Sequence, residues 1–229
     1  MVATELALAV AYPCAGNIGG GGFMVYRMAN GDIGSLDYRE KAPKAATKDM
    51  YLDSLGNIIP NKSTRGAMAV GIPGTVAGMF AVHNKFGSLP METILQPVIE
   101  LAEKGFVVTK NQEERIQSKQ QDFREVNTDS ILFLNHFKEN DTLKQPALAK
   151  TLTEIMRHGS DGFYKGEIAK TLVDFIQENG GIITEDDMAA YEAKWRTPIT
   201  FNYDDLKIIS APPPSSGGIC LAQIMKMIE

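Results

Sequence analysis

Near its start the chain follows a strand-like pattern of apolar and polar positions; further on, helical spacing dominates. Met1 to Tyr12 is an Ala-rich apolar run interrupted by Glu5. Without a basic lead-in it does not fit a signal peptide, and it reads as the end of a buried helix or strand. Gly16-Asn17-Ile18-Gly19-Gly20-Gly21-Gly22 follows, a turn that no helix tolerates. Phe23 to Met28 reads as a strand, Asn30-Gly31 as a hairpin turn, and Ile33 to Tyr38 as the return strand, closing in Asp37-Tyr38-Arg39-Glu40. Residues 41–72 lack a period and read as loop, with a small turn at Leu55-Gly56-Asn57.

Helical spacing takes over after Pro73-Gly74. Val76, Met79, Phe80 and Val82 predict a helix from Thr75 to Lys85, stopped by Gly87. Ile94, Leu95, Val98, Ile99, Leu101 and Ala102 predict a second from Met91 to Lys104, with a kink at Pro97. A polar helix is expected over 110–121, with Asn111 placed to cap it. Further helices are expected from Gln145 to His158 and from Lys165 to Asn179, each closed by glycine. Thr184 and Asp187 approximate a capping box for a short helix through Tyr191. Leu206 to Ser210 reads as a strand, Ala211 to Gly218 as a rigid corner, and Ile219 onward as a helix still running at Glu229. With no cap at either end, both termini look cut.

Composition narrows the class. The 229 residues are 44% hydrophobic and 22% charged, which excludes a disordered chain, a coiled coil or a collagen repeat. A net charge of −5 without a basic run argues against nucleic-acid binding. No apolar stretch is long enough to span a membrane. Cys14 and Cys220 lie at opposite ends, make no disulfide framework or zinc site, and read as buried or half-buried thiols that need not be bonded. His83, His136 and His158 are scattered without metal-ligand spacing.

Candidate chemistry is sparse. The glycines at 19–22 lack a Gly-Lys-Ser/Thr ending and precede a strand, so a phosphate loop fails on context; close backbone packing at a turn is the better reading. No Gly-x-Ser-x-Gly elbow occurs, and Ser215-Ser216 reads as part of the corner. Arg39 stands out because a strand end positions it and its guanidinium can grip a carboxylate with two parallel hydrogen bonds. Position alone leaves a second role open, and the commoner one: a salt bridge to Asp37, Glu40 or another acid.

Six segments taken together resemble the gamma-glutamyltranspeptidase family. They run from Pro13 to Met24, Asp37 to Pro43, Gly71 to Gly78, Asp161 to Gly166, Gly180 to Asp187 and Pro212 to Ile219, in the family's order over nearly the whole chain. The resemblance implies an α+β fold, part of the αββα sandwich of an N-terminal-nucleophile hydrolase. It implies a precursor that cuts itself into large and small subunits and frees a threonine as nucleophile and, through its amine, as base. That threonine would attack the gamma-amide of a glutathione-like compound and pass the acyl group to water or an acceptor.

On this resemblance Arg39 binds the substrate's alpha-carboxylate, Glu40 supports it, and neither metal nor organic cofactor is implied. The Thr-Thr-His-Tyr/Phe-Ser type of processing motif is absent from these residues. Residues 1–229 are therefore expected to be a single incomplete domain, the middle of a large subunit, whose natural partner is the small subunit of the same precursor. Alone, such a chain is expected to be inactive and to self-associate through uncovered apolar surface. A glutaryl or cephalosporin acylase, a poly-gamma-glutamate enzyme and a noncatalytic module of the same fold are the alternatives. The family's usual location is periplasmic, secreted or cell-surface, with an export signal that would lie upstream of Met1; the chain leaves the compartment open.

Overall fold

The computed structural model describes residues 1–127 and 130–229. In chain order the elements are α1 (Val2–Ala11), β1 (Gly22–Arg27), β2 (Ile33–Tyr38), α2 (Thr75–Phe86), α3 (Met91–Lys104), β3 (Phe106–Val107), α4 (Lys110–Ser118) and α5 (Gln120–Val126). Then come β4 (Thr142–Leu143), α6 (Pro146–His158), α7 (Asp161–Tyr164), α8 (Gly166–Glu178) and α9 (Glu185–Ala189). The chain closes with β5 (Lys194–Arg196), β6 (Ile199–Tyr203), β7 (Leu206–Ser210) and α10 (Gly217–Ile228). This is an α+β arrangement, as expected.

The helices that form most clearly are those with one continuous apolar stripe. In α3, Leu95, Val98, Ile99 and Ala102 are all buried, a spacing that aligns them on one face. Ala149, Leu152 and Ile155 do the same for α6, and Ala169, Val173 and Ile176 for α8. Helix α3 packs between α1 and α6. Two glutamines close the end of α1: Gln145 Nε2 donates to the Val10 carbonyl at 2.8 Å and Gln112 Nε2 to that of Ala11 at 2.7 Å. These are terminal carbonyls with no partner inside the helix.

The hairpin forms where expected, with β1 and β2 antiparallel and Gly22 opposite Tyr38. Its connection is the five-residue segment Met28 to Asp32: Met28 N–H donates to Asp32 C=O and Gly31 N–H to Met28 C=O, with Gly31 at φ 93°. A third strand, β5, unexpected from sequence, pairs on the far side of β2 and gives the order β1-β2-β5. Opposite residues of antiparallel strands share a face. Met24, Leu36 and Trp195 therefore lie on the face turned to α2, where Leu36 is fully buried. Phe23, Asp37 and Lys194 lie on the other, together with Val25, Ser35 and Arg196.

Three expectations need correction. The polar stretch 110–121 is two helices, α4 and α5, divided at Lys119. Its cap is Thr109 rather than Asn111, in a full capping box with Gln112, because the Thr hydroxyl reaches the N3 amide and the Gln side chain reaches back. Cys220 is exposed rather than half-buried, since α10 buries only Gly218; Cys14 is half-buried, and both thiols are free. Among the described residues no helix is long and apolar enough to cross a membrane.

Candidate functional site

Arg39 follows the last residue of β2, and its backbone is held from two sides. Its N–H donates to Asp37 Oδ1 at 3.1 Å, and its carbonyl accepts from the Tyr191 hydroxyl at 2.8 Å. Asp37 is in turn gripped through its other oxygen by Arg196, with Nε at 2.9 Å and Nη2 at 2.7 Å from Oδ2. Two residues beyond Arg39, Lys41 pairs with Ile72 through both backbone groups, at 3.2 and 2.8 Å.

The glycine run packs against this corner, as its sequence suggested. Gly20 C=O accepts from the N–H groups of Gly74 and Thr75 at 2.7 and 3.0 Å, which ties the run to the start of α2. A Cβ on Gly21 would lie 2.5 Å from the Tyr38 carbonyl oxygen and 2.8 Å from the Glu40 nitrogen. Only a residue without a side chain permits that approach. Further support comes from Tyr164, whose ring stacks on Tyr191 with centroids 5.6 Å apart and whose hydroxyl donates to Pro73 C=O at 2.8 Å. Asp187 fixes the chain beyond the corner, accepting the Lys44 N–H at 3.0 Å. Five of the six sequence segments thus meet around Arg39, and the sixth reaches it through Pro214.

The Arg39 side chain is 61% exposed, with Nε 3.3 Å from Glu40 Oε2 and the guanidinium carbon 5.8 Å from the Phe23 ring centre. Glu40 therefore sits on the Nε edge. Among the described residues no hydrogen bond engages the two Nη groups, which remain available to a planar anion. Beside them opens a cleft of about 420 Å³ lined by Asp37, Arg39, Glu40, Lys41, Lys194, Arg196 and Pro214. Four cationic side chains against two carboxylates make it an anion-attracting cleft. A second depression, of about 390 Å³, lies on the other side of Arg39 and Glu40, against Gly19 and residues 69–71.

The other titratable groups here are suited to holding charge and position rather than moving protons. Burial, and then the charge of Lys194, lower the Lys41 ammonium from its ordinary value against the pull of Asp37 and Glu192. That ammonium donates to Glu192 C=O at 2.6 Å and lies 4.5 Å from the Tyr191 ring centre. Burial pushes both tyrosine hydroxyls up, at Tyr191 reinforced by the carboxylates of Asp37 and Glu40, so both stay protonated as donors. Among the described residues no group of three or more His, Cys, Asp or Glu side chains is placed to hold a metal ion. His83 contacts the Leu89 carbonyl and His158 lies beside Glu154, both outside the cleft. Ser215 accepts the Gly217 N–H at 3.3 Å within the corner.

Sequence reasoning singled out Arg39 and Glu40, and the structure brings them together at the cleft. It offered Asp37 only as a possible salt-bridge partner of Arg39, whereas Asp37 pairs with Arg196; it assigned no role to Lys41, and it missed Tyr191, Lys194 and Arg196. These three come from more than 150 residues away, and Lys194 and Arg196 sit on a strand with no apolar alternation to reveal it.

Comparison with known proteins bears on this geometry. The family model for gamma-glutamyltranspeptidase matches residues 1–229. A glutathione hydrolase proenzyme from Pseudomonas sp. (strain A14) is 45% identical over 232 residues, covering 100% of this chain and 40% of that protein. The crystal structure of Helicobacter pylori gamma-glutamyltranspeptidase superposes with a TM-score of 0.93 at 44% identity, over 98% of this chain and 65% of that one. Gamma-glutamyltranspeptidase from Pseudomonas nitroreducens, complexed with L-DON, gives 0.90 at 47% identity, over 98% and 66%. The chain thus spans about two fifths of the length of the curated relatives it matches.

Proposed function

The chain belongs to the gamma-glutamyltranspeptidase family, and on that premise we propose that it forms the alpha-carboxylate-binding wall of an enzyme acting on glutathione-like gamma-glutamyl amides. Arg39 takes the carboxylate through its free Nη edge, and Glu40 holds the guanidinium by its Nε edge. The observation that carries this reading is one exposed guanidinium, pinned at both backbone groups, at the mouth of a cationic cleft.

In this reading residues 1–229 are one incomplete domain, part of a large subunit, and the small subunit of the same precursor supplies the reacting groups. The relatives' being proenzymes, of which this chain spans 40%, supports that division. The nucleophile is the small subunit's first threonine. Its hydroxyl adds to the gamma-carbonyl while its proton passes to the threonine's own amine and on to the leaving amine. Water or an acceptor amine then releases the glutamyl group. This wall sets the distance between the anchored carboxylate and the gamma-carbon, so its contribution is orientation.

The test is Arg39→Lys in the full-length enzyme, with a gamma-glutamyl anilide as substrate. Replacing a planar two-donor fork by a point charge is expected to cost about 2–3 kcal/mol in kcat/KM, or roughly 30- to 140-fold. An unchanged kcat/KM would reduce Arg39 to a surface ion pair.

A further inference from the structure

The ion pair between Asp37 and Arg196 lines the same cleft as the proposed carboxylate site. Asp37 is on β2 with its side chain 10% exposed, and Arg196 is on β5 at 37%. The strand register places Lys194 directly opposite Asp37 and Arg196 opposite Ser35, all on the sheet face that α2 does not cover. Arg196 brings Nε and Nη2 to the same oxygen, Oδ2, which leaves Oδ1 for the Arg39 N–H. Both carboxylate oxygens are thus used, one on a cation and one on the backbone of the anchoring arginine.

We propose that Arg196, acting through Asp37, is a positioning residue for carboxylate recognition by Arg39. This inference rests on the reading of Arg39 given above. Two physical effects combine. Asp37 fixes the Arg39 amide, and Tyr191 its carbonyl, so the long side chain starts from a set point and has fewer arrangements to lose when it binds an anion. Arg196 also balances the Asp37 charge. Without it a shielded carboxylate would face the same cleft as the substrate's carboxylate, repelling it and competing for the Arg39 guanidinium. Arg196 thereby leaves the charge of Arg39 free for the ligand.

The experiment compares two substrates in the full-length enzyme: a gamma-glutamyl anilide and the corresponding 4-aminobutanoyl anilide, which lacks the alpha-carboxylate. Arg196→Gln is expected to raise KM for the first at least tenfold, with kcat changed less than threefold, and to reduce the preference for it over the second by a similar factor. Arg196→Lys, which keeps the charge with a single donor group, should recover part of that loss, and it carries the test if the Gln variant does not fold. In an Arg39→Lys background Arg196→Gln should add less than threefold. Equal losses on both substrates, or full additivity with Arg39→Lys, would overturn the inference and leave Arg196 a structural ion pair. If Arg39→Lys itself does not lower the preference, the reading of Arg39 fails and this inference with it. If Arg39→Lys lowers it and neither Arg196 variant does, the inference alone fails.

Discussion

A buried carboxylate fastens the chain just past Arg39. Asp187 accepts the Lys44 N–H at 3.0 Å, the Thr184 N–H at 3.0 Å and the Thr184 hydroxyl at 2.9 Å. Burial alone would raise its carboxyl, but these donors and the Lys44 charge outweigh it and hold the pKa below the ordinary value. In the unfolded chain that value is about 3.9, so the folded form binds fewer protons through the acid range. The stabilisation is therefore complete above about pH 4 and lost as pH falls through the lower, folded value. Asp187→Ala is expected to cost about 2 kcal/mol near neutral pH by orphaning two backbone donors, and less at about pH 3. Urea unfolding of both proteins at the two pH values checks this, and a loss that does not shrink in acid would show that packing dominates. The same residues show how far single positions are legible. Thr184 with Asp187 is readable because a capping box is local. The Lys44 contact, 143 residues away, leaves no trace in the spacing.

Among elements, α3 offers the clearest test of local against tertiary forces. Pro97 sits inside it, exposed, where it lacks the N–H that would donate to the Thr93 carbonyl. The helix nevertheless runs from Met91 to Lys104, because its four buried apolar residues lie on both sides of the proline. Pro97→Ala restores the missing donor and improves helix propensity, while loosening the unfolded chain. The net expectation is a gain of about 1 kcal/mol or more, read as a raised urea midpoint with an unchanged slope. No gain would mean that the ring itself contributes packing. The amphipathic helices α3, α6 and α8 were legible for the reason that α3 survives its proline: the stripe that buries them is written in the period. Strand β5 was not. Lys194, Trp195 and Arg196 are all exposed, and only pairing with β2 makes them a strand. Because β5 carries Arg196, the half of the site that sequence missed is the half that depends on long-range pairing.

At the scale of the whole molecule, the six segments identified the family because their order is a global property, whereas the cleft they build is visible only once the chain is folded. The same scale raises the question of what these 229 residues do by themselves. They contain no processing motif, and the role proposed for the groups gathered in the cleft is to bind and position rather than to attack. Several large apolar side chains are also left in solvent, among them Ile224 at 56%, Ile228 at 64% and Met227 at 81% on α10, with Val25 and Trp195 on the sheet. Apolar surface of this kind is costly to leave wet and is normally covered. The 229-residue chain, purified alone, is therefore expected to give no turnover of a gamma-glutamyl anilide, because in the proposed reading the nucleophilic threonine and its amine base belong to the small subunit. It is also expected to self-associate, migrating above its 25.0 kDa mass in size-exclusion chromatography with light scattering. Turnover above a heat-killed control would refute the first expectation, and a clean monomer at micromolar concentration the second. The two results separate cleanly, since the catalytic expectation rests on missing chemistry and the associative one on uncovered area.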